Sequence, residues 1–394
     1  MRMYIMNAHV LVIGAGLSGA TCARTLAEHG KTVHVIEKSG MVGGNCYDMI
    51  HPTTGQLTSM YGPHFFHTNN EEVWNFVTRF AEWIPYAPRM LAHVGDNYVP
   101  IPVCQQTVTQ LYGIPIHTVE DMDIWLKSER SQFNVIENSE QVALSRVGLR
   151  LYNALFRGYT QKQWARPASE LSPSVLERIP VRTTADDRYF TDLHQALPKH
   201  GYTKFIQSML DHPLIQVELK QDYFQDYSHI RSRFEHVIYT GPVDRMFAEQ
   251  GLEPLEYRSL EFREKIYDVQ HVDQKIQPAF QVNEPSVDIP YTRTCEYSYF
   301  LNQGCPNMKS LVVEEYPTSA GDPYYPVATK RNSDLFATYK NLSDESGIHF
   351  VGRLANYKYY NMDQAIAAAL DTCRSITWDG DYVPCRQCRH PISS

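Results

Sequence analysis

An apolar strand ending in Gly14-x-Gly16-x-x-Gly19, a second strand ending at Glu37, and a late strand, glycine turn and helix after Ile348 predict an α/β fold. The class is a Rossmann-like sheet interrupted by two insertions, an inserted helical lobe and an inserted antiparallel β-sheet lobe. In chain order, residues 10–13 form the first strand and a helix runs on to Glu28, with Leu17 and Ser18 in its first turn. Residues 32–36 form the second strand. Gly14 permits a tight turn, Gly16 lets a pyrophosphate approach the backbone, and Gly19 lets the helix pack closely on the sheet. Unpaired N–H groups at the helix start suit that anion. Glu37, followed by Lys38, is placed to accept from adenosine ribose hydroxyls.

The next loop separates two dinucleotides. Gly43-Gly44-Asn45 follows the ribose acid closely, so the chain can run against the cofactor. That suits FAD proteins of the glutathione reductase type better than NAD dehydrogenases. Near the other end, residues 348–351 read as a strand entering Gly352-Arg353, and a helix starts at Met362 with Asn361 or Asp363 as its cap. This brings a second helix N-terminus toward a flavin. Together these features predict FAD.

The 394 residues suffice for two or three lobes. The FAD-binding domain is expected to be discontinuous, over 1–80, 200–245 and 330–394. A helical domain spans 103–180, where Leu144, Val147, Leu151 and Leu155 mark one helix face, with a mobile loop about 178–200. Residues 81–102 and 250–325 form the antiparallel sheet domain. The formal net charge is −8 and no polybasic stretch stands out, which argues against nucleic acid or an anionic membrane as partner. The start lacks a signal-peptide layout and no apolar run is long enough to span a bilayer, so a cytoplasmic location is expected. The eight cysteines are read as thiols, and Cys385-x-x-Cys388 as a solvated tail, not a zinc site; no metal is expected.

Aromatic and arginine residues concentrate in a few segments: Tyr159 and Trp164 at a helix end, Arg178 to Arg182 in a loop because Pro180 ends any preceding helix, Pro290-Tyr-Thr-Arg293, Tyr324-Tyr325, and Tyr357-Lys-Tyr359-Tyr360. The rigid fork of arginine suits a diphosphate and an aromatic ring can stack on a base. A nucleotide sugar needs both. Taken singly, each aromatic reads as core packing and each arginine as a surface ion pair.

The ordered set Gly14-Ala-Gly-Leu-Ser-Gly19, Glu37, Gly43-Gly-Asn-Cys-Tyr47, Tyr61-Gly-Pro-His-Phe-Phe-His-Thr68, Gly158-Tyr-Thr-Gln-Lys-Gln-Trp164, Arg178-Ile-Pro-Val-Arg182, Gly201-Tyr-Thr-Lys204, Leu255-Glu-Tyr-Arg-Ser-Leu260, Pro290-Tyr-Thr-Arg293, Pro323-Tyr-Tyr-Pro326 and Gly352-Arg-Leu-Ala355 resembles the bacterial UDP-galactopyranose mutase family from about residue 8 to 375. The resemblance implies a three-lobed FAD protein, a homodimer, that interconverts UDP-galactopyranose and UDP-galactofuranose with no net redox change, supplying galactofuranose for cell-surface polysaccharide. It implies a flavin that must be reduced, by a reduced nicotinamide or another electron donor, with N5 as nucleophile on the anomeric carbon. Residue by residue, Tyr159 and Trp164 match uracil-site aromatics. Arg182 matches an arginine on a mobile loop that closes over the diphosphate, and Arg293 its partner. Tyr325 and Tyr359 match phosphate-contacting tyrosines. His64, with Tyr61, belongs to a segment beside the flavin N5, and Arg353 matches a flavin-proximal arginine. Asn361 stands where many members carry aspartate; it keeps the hydrogen-bonding shape without the charge. The alternatives are an FAD-dependent oxidase or desaturase, the same chemistry on UDP-N-acetylgalactosamine, and a non-enzymatic FAD-binding sensor or scaffold.

Overall fold

The structure, a computed structural model, describes residues 8–378. Its cofactor lobe is built on a parallel five-stranded sheet in the order Ile215–Leu219, Val33–Glu37, Val10–Ile13, His236–Tyr239, His349–Phe350. The run Val-Leu-Val-Ile can occupy the centre because it is apolar on both faces; Val10, Leu11 and Val12 are fully buried. The helix Leu17–Glu28 closes one face, and Met362–Trp378 packs beside it through Ile366, Ala369 and Cys373. At Gly14 φ is +108°, and a Cβ there would come 2.1 Å from Thr240 Oγ1, so only glycine makes this turn.

A seven-stranded sheet forms the second lobe, in the order Tyr325–Pro326, Tyr257–Asp268, Lys309–Thr318, Arg293–Glu296, Gln281–Asn283, Met90–Val94, Asn97–Ile101. It is not wholly antiparallel as the sequence suggests: Gln281–Asn283 runs parallel to Met90–Val94. Parallel neighbours need a long crossover, and here the helical lobe lies within that connection.

The helical lobe contains Gln105–Tyr112, Val119–Glu129, Ser139–Leu151 and the short Gly158–Trp164, which carries Tyr159 and Trp164. Val147, Leu151 and Leu155 are buried as the periodicity predicts, but the helix does not run through them unbroken. Gly148 (φ +75°) kinks it, because a Cβ there would lie 2.2 Å from Glu129 O, and residues 152–157 continue in a wider π-helical turn. The expected loop is shorter than 178–200: His194–Pro198 is the middle strand of a three-stranded sheet with Phe66–Thr68 and Trp83–Pro85. Irregular chain is left over 178–193.

Among the described residues no helix is long and apolar enough to cross a membrane, and no cluster of His, Cys, Asp or Glu could hold a metal ion. Cys22, Cys46, Cys104, Cys295, Cys305 and Cys373 are buried free thiols; Cys385 and Cys388 lie outside the described residues.

Candidate active site

A cavity of about 420 Å³ runs along the carboxyl ends of the parallel strands. Gly14, Gly16, Leu17, Ser18, Glu37, Lys38, Gly44, Asn45, Tyr61, His64, Gly352, Arg353, Asn361 and Met362 all line it. The helix beginning at Leu17 has no side-chain cap and no acid in its first turn, so its first N–H groups are left to a ligand in this cavity. Glu37 is 8% exposed; Oε2 accepts from Ala15 N at 2.9 Å and Oε1 from Ser39 N at 2.8 Å. Those bonds fix the carboxylate and leave lone pairs for ribose hydroxyls. Lys38 and Asp322 form an exposed 3.2 Å ion pair at the rim. An uncapped helix end, a fixed acid and a bare-backbone wall of glycines fit a dinucleotide.

At one end, next to His64 and Arg353, partly exposed tyrosine and arginine side chains gather into a group, hereafter the cleft. His64 Nδ1–H donates to Gly62 O at 2.9 Å, which leaves Nε2 bare. Burial, with Arg353 adding to it, pushes the imidazole down to about 4, so it is neutral at neutral pH. Beyond it Tyr325 and Tyr359 stack, 5.5 Å between ring centroids and 10° from parallel. Arg178 lies 3.9 Å over the Tyr359 ring and Arg353 4.9 Å from it. Arg293 completes the group, its Nε 2.7 Å from the buried carboxylate of Glu315. Of the three guanidinium groups only that of Arg293 contacts a carboxylate; those of Arg178 and Arg353 face the Tyr359 ring. Burial raises the Tyr359 phenol, but Arg178 and Arg353 outweigh it and bring the group down to about 8.

A sequence model of the family described as UDP-galactopyranose mutase matches residues 154–359, and one described as an NAD(P)-binding Rossmann-like domain matches residues 12–80. A probable UDP-galactopyranose mutase of Klebsiella pneumoniae is 38% identical over 376 residues, covering 93% of this chain and 94% of the relative. The chain belongs to the UDP-galactopyranose mutase family. A dTDP-fucopyranose mutase of Escherichia coli is 36% identical over 370 residues, covering 92% of this chain and 96% of its own length. The fold is similar to a crystal structure of reduced UDP-galactopyranose mutase, with a TM-score of 0.76 at 16% identity over 95% of each chain. This mutase-family enzyme takes FAD as its cofactor, and the cavity described above has the donors and the bare backbone to hold it.

Not every residue matched to the mutase motifs lies where the sequence places it. Arg182 does not reach the cleft. Its guanidinium is 11% exposed and donates to carbonyls of its own loop: Asp186 O at 2.9 Å, Tyr189 O at 3.2 Å, and Arg188 O. Its N–H is held by Val103 O at 2.9 Å. Arg178, four residues earlier and directly after the Ser174–Glu177 helix, occupies the cleft position instead. Trp164 is not one half of an open platform. It is 5% exposed, packed with Leu171, Val175 and Val327, and its ring meets Tyr325 edge-on at 6.2 Å. Tyr159 is the half-buried member of the pair, within electrostatic reach of Arg293 and Tyr325. Asn361 lines the cofactor cavity, and its N–H donates to Gln364 Oε1 at 3.0 Å at the start of the last helix; of the two expected caps, Asp363 instead accepts from Thr68 Oγ1 at 3.2 Å. Two residues escape a reading of the sequence altogether. Glu315 orients Arg293, and Tyr189 sits among Arg178, Tyr359 and Arg293. The signal for Glu315 is a carboxylate in an otherwise apolar strand, where a buried charge needs a cationic partner; the neighbouring Glu314, also buried, carries the same signal and pairs with Lys265.

Proposed function

We propose that this enzyme interconverts UDP-galactopyranose and UDP-galactofuranose without net redox change. The observation that carries the reading is the excess of guanidinium in the cleft. Arg178, Arg293 and Arg353 surround Tyr325 and Tyr359 with Glu315 as their acidic counterpart, leaving two positive charges for a diphosphate dianion. An oxidase or desaturase has no use for such a clamp. Tyr159 offers its ring to the uracil, and Trp164 braces Tyr325 from behind. Arg293, aimed by Glu315, and Arg178 bind the diphosphate before and after the sugar–phosphate bond breaks, holding UDP in place as leaving group and returning nucleophile. Tyr325 and Tyr359 orient phosphate oxygens. His64, neutral and fixed through Gly62, presents an acceptor at the border of the two cavities. The cavity lined by Gly16, Glu37, Gly44 and His64 would hold FAD, which when reduced would supply a nucleophilic nitrogen, N5, toward the sugar. The 178–193 segment, anchored through Arg182, carries Arg178 over the cleft and limits the access of water.

As part of the same reading, the enzyme works as a cytoplasmic homodimer recharged by a reduced nicotinamide or another electron donor. A second substrate reading, a dTDP-linked sugar, is favoured by the 36% identical relative. The deciding experiment incubates the enzyme with UDP-galactofuranose, and separately with a dTDP-furanose, with and without dithionite, and separates the products by chromatography. Conversion of the UDP sugar under reducing conditions alone supports the proposal. Conversion only of the dTDP sugar, or equal turnover by oxidised enzyme, overturns it.

A further inference from the structure

The short helix Gly158–Trp164 carries the base-side ring Tyr159, and the strand Arg293–Glu296 carries a diphosphate-side arginine. One side chain ties the two together. Lys162 Nζ donates to Glu284 O at 2.6 Å, Ile289 O at 2.8 Å and Tyr291 O at 2.8 Å. All three ammonium protons are thereby spent on carbonyls of one loop, the loop that ends at Arg293. Gly158 lies one turn earlier on the same helix face. A Cβ there would come 2.2 Å from Pro285 O, so the helix is pressed directly against the loop at two points. The two ends of the loop are pinned independently: Thr292 N donates to Glu315 O at 2.9 Å and Glu284 N to Thr292 O at 2.8 Å, and the Glu284 carboxylate accepts from His93 at 3.1 Å.

We infer that Lys162 is a positioning residue for the mutase reaction, fixing Arg293 relative to Tyr159. The three bonds of Lys162 go to carbonyl oxygens, and the Glu284 carboxylate, itself bonded to His93, attracts the ammonium without contacting it directly. Its effect is geometric: it turns the base side and the diphosphate side into one rigid body, so that UDP binding does not have to order the loop. The C-terminal end of the same helix is held separately by Arg258, whose Nε donates to Gln163 O at 2.8 Å and whose strand position pairs with Tyr325. Loss of Lys162 therefore frees the middle of the loop from the helix, while the helix and the loop ends each stay held by other bonds. Lys162 acts through Arg293 and does not itself touch substrate.

This inference rests on the proposed reading of the cleft, and a double-mutant cycle on the FAD-loaded enzyme separates the two. UDP affinity is measured by calorimetry for Lys162→Met, Arg293→Ala and the double variant, with flavin content as the check on folding. Lys162→Met weakens UDP roughly ten- to hundredfold with normal flavin content, the scale of removing one charge-assisted hydrogen bond. In the Arg293→Ala background the same change costs less than about threefold, because its intermediary is gone. Lys162→Arg, which keeps charged donors, recovers part of the loss. Should Lys162→Met fail to load FAD, Lys162→Gln, which retains an amide donor, goes through the same cycle. Equal losses in both backgrounds overturn the inference, since a general destabilisation is additive. If Arg293→Ala loses UDP and Lys162→Met does not, the inference alone fails. If Arg293→Ala keeps wild-type affinity, the reading of the cleft fails and the inference with it.

Discussion

Arg293 and Glu315 face each other directly across adjacent antiparallel strands, and Nε of the arginine donates to the carboxylate at 2.7 Å. Glu315 is 1% exposed, so the pair is shielded on the protein side, while the two terminal nitrogens of Arg293 remain for a ligand. Arg293→Ala is expected to weaken UDP by about 1.5–3 kcal/mol, with FAD content unchanged. Arg293→Lys should restore little, because an ammonium cannot satisfy Glu315 and a diphosphate from one planar fork. Calorimetric titration of UDP into both variants tests this; near wild-type affinity in either would remove Arg293 from the clamp.

Arg178 and Arg182 should differ in kind. Arg178→Ala removes a cleft cation and is expected to lower UDP affinity by roughly tenfold or more. Arg182→Ala instead frees the carbonyls of Asp186, Arg188 and Tyr189 and loosens the segment they lie in. It should raise cleavage of residues 178–193 by a protease more than it alters the UDP dissociation constant. The reverse pattern would return the clamp role to Arg182.

The cofactor lobe is legible in the sequence because its signals are local: a strand, a glycine turn and an acid within the first 37 residues fix both geometry and chemistry. The cleft is legible in composition but not in detail. Two arginines four apart in irregular chain cannot be told apart by pattern, since the direction of the backbone decides which one points inward. Helix geometry, by contrast, does separate Tyr159 from Trp164. Five residues along a helix is about 140° of rotation of the far side chain from the near one, so the two rings cannot share a face. The mixed sheet is hidden for another reason: the register of Gln281–Asn283 against Met90–Val94 joins segments separated by the whole helical lobe.

Tyr159 and Trp164 can be separated by stability. Tyr159→Ala should cost about 1–3 kcal/mol of UDP binding and little thermal stability, as a stacking ring removed from an open face. Trp164→Ala empties a buried site against Leu171, Val175 and Val327, so it should lower protein stability by about 3–5 kcal/mol as well as disturb Tyr325. Denaturant titration beside UDP titration checks both. A fully stable Trp164→Ala enzyme with weak UDP binding would place the indole on the base after all.

The flavin dependence follows from the uncapped helix at Gly16. Gly16→Val puts a branched side chain where the pyrophosphate must meet the backbone, and the protein should purify colourless or weakly loaded. Absorbance of the released flavin, compared with protein concentration, measures this. Full yellow loading of the variant would mean that the pyrophosphate lies elsewhere.

The Tyr359 phenol gives the cleft a pH dependence with a definite sign. Burial alone would hold it protonated, yet Arg178 and Arg353 bring it down to about 8. Below that pH the free enzyme carries a neutral phenol; above it, a phenolate neutralises part of the guanidinium charge. A diphosphate dianion competes for the same arginines and pushes the phenol back toward protonation. Binding therefore takes up a proton above pH 8, and UDP affinity must fall as pH rises, by up to about tenfold per pH unit. His64, held near 4, adds no transition around pH 6.5. Tyr359→Phe should bind UDP more weakly at pH 7 through loss of its hydroxyl, but with a shallower fall from pH 7 to 9, the remaining slope belonging to Lys162, whose ammonium is brought down to about 8 by burial. A wild-type affinity that is flat across that range, or a Tyr359→Phe profile that falls just as steeply, would show that the phenol is not the titrating group.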